Sequence, residues 1–268
     1  MDDEVTREML IAYHRCRQLL GYLGLSLPLL LIAGGWLLDF SLLPSVSDYY
    51  HSTLRDLFVG ALFATGIVLC TQPRRRRMDG IVPLSGIAAL GVALFPNEGG
   101  AGVDSLMRSL VGTKSAAMGH YLAAVLFLGG LAYLCLIRFP ENAAPKPCRI
   151  FRICGWLIVC GGVAATLASA IKLTGPAAAQ QFVITHNMVF WIEALGIWAF
   201  GLSWLVKDHC EMAALRRTPR LAASSFSRRA ISDPDETRHR TACSLTGHSG
   251  TAHISPHSYL RPVAARAQ

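Results

Sequence analysis

The sequence predicts an all-α, polytopic membrane protein folded as a bundle of six transmembrane helices. Of its 268 residues, 52 % are hydrophobic and only 16 % are charged. The charges fall in short clusters that separate long uncharged stretches. A soluble domain carries about a quarter charged residues, and a helix needs about 20 mainly apolar residues to cross the hydrocarbon of a bilayer. Composition and charge distribution therefore both disfavour a soluble fold.

Six apolar stretches are candidates for membrane spans. They are residues 19–40, 54–71, 80–95, 119–137, 150–173 and 184–206. The first follows several acidic residues and precedes no clean small-residue cleavage site, so a retained helix fits it better than a signal peptide. The chain is therefore expected to comprise an N-terminal segment (1–18), a transmembrane domain (19–207) and a tail (208–268).

The distribution of Lys and Arg predicts the orientation of the bundle. One side of the predicted membrane carries four basic clusters: Arg7, Arg15, Arg17, Arg74, Arg75, Arg76, Arg77, Arg138, Lys146, Arg149, Arg152, Lys207, Arg216, Arg217 and Arg220. The other side carries Arg55, Arg108, Lys114 and Lys172. Because basic residues concentrate on the cytoplasmic side, both termini are predicted to be cytoplasmic, in a multi-pass protein of the inner (plasma) membrane.

The C-terminal tail differs in composition from the rest of the chain. From Asp208 onward Arg, Ser, His, Thr and Pro dominate, and helical periodicity ends at about Leu221. Such a segment buries too little apolar surface to offset its chain entropy, so disorder is expected. Its basic residues, with Arg74–Arg77, would face anionic lipid. The bilayer is therefore the predicted partner; the net charge of +8 requires no nucleic acid, and the oligomeric state stays open.

The fifth apolar stretch is rich in small residues, including Gly155, Gly161 and Gly162. Small side chains allow helix backbones to approach closely in lipid. This helix is therefore predicted to lie at the centre of the bundle.

The densest polar segment within the predicted domain is SVSDYYHSTLRDLFVG, residues 45–60. If this segment is helical, Ser47, Asp48, His51 and Arg55 share one face. Asp56 then points elsewhere, toward another helix or Ser52. The segment lies at the outer end of the predicted bundle, where ionisable groups indicate a functional pocket.

Further polar residues open later spans at the same end. His120 begins the fourth span and His186 the sixth, with Glu193 roughly 10 Å deeper on the same helix face as His186. A carboxyl group at that depth must be protonated, paired or exposed to a watery cavity.

Two interpretations of these residues remain open. In the first, they form a hydrogen-bonded pocket at the outer mouth of the bundle, which is structural or binds a small ligand without a cofactor. In the second, His51, His120 and His186 bind zinc and leave one position for water. Ser47, Asp48, Asp56 and Glu193 would then orient a ligand or transfer a proton.

Several phrases of the sequence resemble a family of uncharacterised bacterial multi-pass membrane proteins. They are SDYYHSTLRDLFVG, GVALFPNEG from Gly91, HYLAAVLFLGGLAY from His120, and VFWIEALGIWAFGLSWLVK from Val189. The resemblance covers about residues 15–207. It implies a membrane-embedded helical protein and carries no established reaction.

A second, weaker resemblance concerns Ser47 and His51, whose SxxxH spacing is similar to the second-helix signature of ceramidase-like (CREST) membrane hydrolases. That likeness implies a zinc-dependent hydrolase acting on a lipid or amide. Phe190 stands where that superfamily has the second histidine of a late HxxxH motif. A further alternative is a small proton-coupled transporter, with His186 and Glu193 as the proton relay.

Overall fold

The computed structural model describes residues 2–38, 41–72, 80–98, 105–141 and 143–232. The chain divides into two compact units, Met1–Ala214 and Leu215–Gln268. The candidate site residues from the sequence all lie in the first unit. The basic run Arg74–Arg77 lies outside the described residues, so its predicted contact with anionic lipid stays a prediction.

The described residues form helices and connecting turns, with no β-strand among them, which confirms the all-α class for this part of the chain. A short 3₁₀ helix, Ser47–His51, precedes the second α-helix. The fifth helix continues into a π-helical turn, Leu134–Arg138. The α-helices in chain order are α1 (Asp2–Leu37), α2 (Arg55–Cys70), α3 (Ile81–Leu94), α4 (Leu106–Val111), α5 (Thr113–Tyr133), α6 (Pro145–Thr174), α7 (Ala177–Thr185) and α8 (Met188–Ser232).

Among the described residues, four stretches of helix are long and apolar enough to cross a membrane: Ile11–Leu37, Thr113–Arg138, Pro145–Thr174 and Met188–Ala213. Large apolar side chains cover their outward faces. On α5 Leu122 is 60 % exposed and Val125 63 %, and on α6 Val163 is 58 % exposed and Leu167 60 %. In water, apolar surface of this kind would be costly. These faces therefore fit contact with lipid.

Helices α2 and α3 are shorter than the other four apolar helices. They have 16 and 14 residues, which correspond to about 24 and 21 Å of helix, against a hydrocarbon core of about 30 Å. The two helices pack tightly against each other. A Cβ atom added to Gly86 would lie 2.6 Å from the carbonyl oxygen of Gly66.

Helix α8, and not α6, is the most buried of the four long apolar helices. In the most apolar window of each helix, 50 % of the residues of α8 are buried against 22 % in α6. Gly201 of α8 packs so closely on α1 that an added Cβ would lie 2.8 Å from the backbone nitrogen of Leu25. The prediction that the glycine-rich fifth span is central is therefore wrong.

Helices continue past both ends of the predicted transmembrane domain. Residues 1–18 are predicted to precede the first span, and α1 (Asp2–Leu37) covers most of both. The predicted tail begins at Asp208, yet α8 continues to Ser232, so residues 208–232 are helical. Residues 233–268 lie outside the described residues, and their predicted disorder is not tested.

Candidate functional site

The polar segment before α2 forms a 3₁₀ helix followed by a turn, and not a single α-helix. The 3₁₀ helix ends at His51, the backbone N–H of Leu54 donates to Ser52 Oγ at 3.1 Å, and α2 begins only at Arg55. The predicted shared face from Ser47 to Arg55 is therefore wrong. The 3₁₀ helix therefore packs against the segment that follows α3.

Asn97, which follows α3, joins the predicted site residues of the 3₁₀ helix. Its Nδ2 donates to Asp48 Oδ1 at 2.8 Å and to Ser47 Oγ at 3.2 Å. Its Oδ1 lies 2.7 Å from His51 Nε2, which must be the donor because a carbonyl oxygen only accepts. Arg108 Nη2 donates to the backbone oxygen of Asn97 at 2.9 Å. Asn97 is 5 % exposed and contacts all of these residues. The group of Ser47, Asp48, His51, Asn97 and Arg108 is called the Asn97 end below.

The carboxylate of Asp48 is neutralised by a distant basic residue. Lys172, in the last turn of α6, donates from Nζ to Asp48 Oδ2 at 2.7 Å, and both side chains are largely buried. Asp48 thus has an amide donor on one oxygen and an ammonium donor on the other. These contacts make Asp48 a structural anchor between the 3₁₀ helix and α6.

Glu193 of α8 accepts hydrogen bonds from the loop that precedes the 3₁₀ helix. Its Oε2 accepts from Ser45 Oγ at 2.8 Å and from the backbone N–H of Val46 at 2.7 Å. The backbone N–H of Phe190 donates to the carbonyl of Pro44 at 2.9 Å and reinforces the same contact. The structure shows no hydrogen bond between Glu193 and His186, so it does not join the predicted proton relay.

The three histidines predicted as zinc ligands do not converge. His51 is bound to Asn97, and His120 Nδ1 donates to the carbonyl of Phe95 at 2.8 Å. His186 is exposed on the turn between α7 and α8, where its ring lies 4.6 Å from the ring of Phe182. Among the described residues, no three His, Cys, Asp or Glu side chains are placed to hold a metal ion. The residues present therefore do not fit zinc, and the predicted site is wrong in its geometry.

The two remaining residues of the predicted cluster separate. Arg55 Nη2 donates to the hydroxyl of Tyr50 at 2.9 Å, and its guanidinium lies 4.5 Å from the centre of that ring. Asp56 is exposed on a different face of α2, next to Leu57 and Gly60. Arg55 therefore stabilises the 3₁₀ helix, and Asp56 has no part in the Asn97 end.

A partly open cavity of about 130 Å³ lies among the helices, next to the Asn97 end. Four polar side chains line it, Ser47, Thr65, His120 and Glu193, and the other lining residues are apolar or glycine. The wall contributed by α6 consists of Ile158, Gly161, Gly162 and Ala165. A Cβ atom added to Gly161 or Gly162 would find its nearest neighbour 3.6 Å away. The small residues of α6 therefore leave open space where close helix contact was predicted.

A second polar cluster, absent from the sequence-based candidates, joins α1 and α8. His14 Nδ1 lies 2.6 Å from Asp208 Oδ1, and Gln18 Nε2 donates to Asp208 Oδ2 at 2.9 Å. Arg17 pairs with Glu211 and is 2 % exposed. The sequence predicts only a cytoplasmic location for Arg17 and Lys207, and it places Asp208 at the start of the tail. The repeated (i, i+3/i+4) spacing of these residues on α1 and α8 was the available signal.

Comparisons with protein-family models, with curated proteins and with solved structures find no match to this chain.

Proposed function

We propose that this chain is a six-span protein of the inner (plasma) membrane that binds a small, mainly apolar ligand in its central cavity. Both termini are cytoplasmic in this proposal, and the Asn97 end faces outward. Four long apolar helices and the lipid-facing side chains of α5 and α6 support the membrane assignment. Helices α2 and α3 supply the other two spans, and the bias of Lys and Arg supports the orientation.

The cavity is the observation that carries the proposed function. An apolar cavity of about 150 Å³ is large enough to take up benzene, so a space of about 130 Å³ suits a ligand of similar size. An enclosed empty cavity costs about 24 cal/mol per Å³, which sets an upper limit of about 3 kcal/mol for this partly open one. A purely structural pocket would gain stability by filling that volume with side chains. A ligand-binding pocket retains the volume because the ligand fills it.

The α6 wall gives the ligand a route from the bilayer. Helix α6 is the most exposed of the long apolar helices, and three small residues, Gly161, Gly162 and Ala165, form most of its part of the cavity wall. Small side chains at this position leave a low barrier between the lipid and the cavity. The ligand is therefore expected to partition into the membrane before it binds.

The proposal is tested with toluene and the purified full-length protein in lipid nanodiscs. Toluene should raise the Tm of the wild-type protein by several degrees, because it binds only the folded state. Gly196→Leu should abolish this response, since Gly196 lines the cavity and a Cβ atom there meets no atom within 4 Å. Gly129→Leu is the matched control, because Gly129 is exposed outside the cavity and also has no neighbour within 4 Å.

The two leucine variants separate binding in the cavity from a general effect of toluene on the membrane. If Gly196→Leu responds to toluene as fully as Gly129→Leu does, the ligand does not occupy the cavity and the proposed function is wrong. An unchanged Tm in the wild-type protein would lead to the same conclusion.

A further inference from the structure

The side-chain hydrogens of Ser45, Ser47 and Asn97, next to the cavity, already have acceptors. Ser45 Oγ–H donates to Glu193, so the short contact between Ser45 and Ser47, 2.7 Å between their Oγ atoms, must use the hydrogen of Ser47. Ser47 Oγ in turn accepts from Asn97 Nδ2. A directed chain of donors thus runs from Asn97 through Ser47 and Ser45 to Glu193. At the cavity, Ser47 therefore has no hydrogen left to donate.

Two of the four polar side chains that line the cavity, His120 and Glu193, offer hydrogen-bond acceptors. His120 carries its proton on Nδ1, which donates to Phe95, and in a neutral imidazole this leaves Nε2 as an acceptor. Glu193 accepts from Ser45 Oγ and from the backbone N–H of Val46 on Oε2, and the backbone N–H of Ser47 also interacts with its carboxylate. A carboxylate offers about four lone-pair sites, so Oε1 retains room for another donor. A ligand bound beside both residues must therefore supply hydrogen-bond donors.

No basic side chain among the described residues forms an ion pair with Glu193. Lys172 pairs with Asp48, and Arg55 binds Tyr50. A carboxylate that faces an apolar cavity without a counter-ion is costly. A cation brought by the ligand would remove that cost.

We propose that the cavity selects a small primary amine in its protonated form, with an apolar body of about the size of a benzene ring. The inference rests on the proposed function, that the cavity binds a ligand at all. The ammonium group donates to Glu193 Oε1 and to His120 Nε2, and the apolar body lies among the side chains of α1, α5 and α8. Charge-assisted hydrogen bonds of this kind are about twice as strong as neutral ones.

The test compares three probes of nearly equal shape: benzylamine, benzyl alcohol and toluene. The Kd of each is measured by titration calorimetry on the full chain in nanodiscs of zwitterionic lipid, with empty nanodiscs as the blank. Benzylamine should bind the wild-type protein about tenfold more tightly than benzyl alcohol. In Glu193→Gln, which keeps an oxygen for Ser45 and Val46, that ratio should fall to about one. Glu8→Gln, at an exposed carboxylate of α1 that does not line the cavity, should leave the ratio at about ten.

The outcomes distinguish this inference from the proposed function beneath it. Equal Kd values for the amine and the alcohol in the wild-type protein would overturn the amine selectivity, while binding of toluene would preserve the proposed function. A tenfold ratio that survives in Glu193→Gln would also overturn it. If the wild-type protein binds none of the three probes, both proposals fail. Toluene binding by Glu193→Gln shows that the variant is folded.

Discussion

Asp208 of α8 and His14 of α1 are in direct contact, with 2.6 Å between Asp208 Oδ1 and His14 Nδ1 across 194 positions of the sequence. Both side chains are buried. Gln18 occupies the other carboxylate oxygen, and Arg17 and Glu211 pair one turn away. This cluster and the contact of Glu193 with Ser45 lie about 22 Å apart along α8. Polar contacts therefore hold α8 near both ends of its apolar stretch.

Removal of the carboxylate at 208 should destabilise the bundle. Asp208→Ala leaves His14 and Gln18 without their acceptor, and each buried donor left unpaired costs about 1–3 kcal/mol. We expect a loss of about 3 kcal/mol in the free energy of unfolding, measured by denaturant titration in mixed micelles. Asp56→Ala, at an exposed carboxylate, should change that free energy by less than about 0.5 kcal/mol. Equal effects of the two substitutions would contradict the assigned contact.

The stability of the protein should depend on the observed orientation of the Asn97 amide. Asn97→Ala removes the partner of Ser47, Asp48 and His51 and should cost about 2–3 kcal/mol. Asn97→Asp should cost more, because a carboxylate oxygen would replace the Nδ2 donor that faces Asp48. Thermal unfolding of the two variants provides the comparison. An aspartate variant more stable than the alanine variant would show that the donor faces the other way.

The contact between α2 and α3 should tolerate no side chain at Gly86. In Gly86→Ala the new Cβ would lie 2.6 Å from the carbonyl oxygen of Gly66 and 2.9 Å from the backbone nitrogen of Cys70. Because these neighbours are backbone atoms, the two helices must separate, at a cost of about 1–3 kcal/mol. Gly129→Ala places the same methyl group in open space and should be neutral or stabilising by up to about 1 kcal/mol. Tm measurements on both variants test the difference.

Acid should weaken the Asn97 end through His51. Burial, opposed by the hydrogen bond to Asn97, lowers the pKa of this imidazole, and the charge of Arg108 acts in the same direction as burial while Asp48 acts against it. The unfolded chain therefore binds a proton more readily than the folded chain does. Stability from this group is complete above the unfolded pKa of about 6.5 and is lost as the pH falls through the lowered value.

The pH prediction is checked by measuring Tm from pH 7.5 down to 5 in the wild-type protein and in His51→Gln. The wild-type Tm should fall by several degrees across this range, and the glutamine variant should show a shallower slope, since it keeps a donor for Asn97 and cannot titrate. Parallel slopes in the two proteins would assign the acid sensitivity to other groups.

The long helices were predictable from the sequence because hydrocarbon imposes a simple requirement of length and apolarity. The predicted span 119–137 corresponds to α5 and its π-helical turn, Thr113–Arg138. Glu193 and the segment around Asp48 stood out because a charge amid apolar residues requires a partner or water. Such reasoning identifies the residues that need partners, and it does not identify the partners.

The partners depend on tertiary contacts that no local pattern encodes. Asn97 follows α3 in an unremarkable loop, and its role appears only when the 3₁₀ helix Ser47–His51 packs beside it. The zinc hypothesis treated His120 and His186 as neighbours because both begin predicted spans. The left-handed turn at Asn187, with φ of 47°, instead leaves His186 between α7 and α8 on an exposed surface.

The pairing of the first helix with the last also determines when the protein can finish folding. During synthesis, α1 leaves the ribosome long before residues 208 and 211 are translated, so Arg17 and His14 wait for acceptors that do not yet exist. Contacts between residues this distant in sequence form late, because the chain between them must first be ordered. Any chain whose translation stops before Asp208 therefore keeps Arg17 without its carboxylate partner Glu211, and His14 and Gln18 without Asp208.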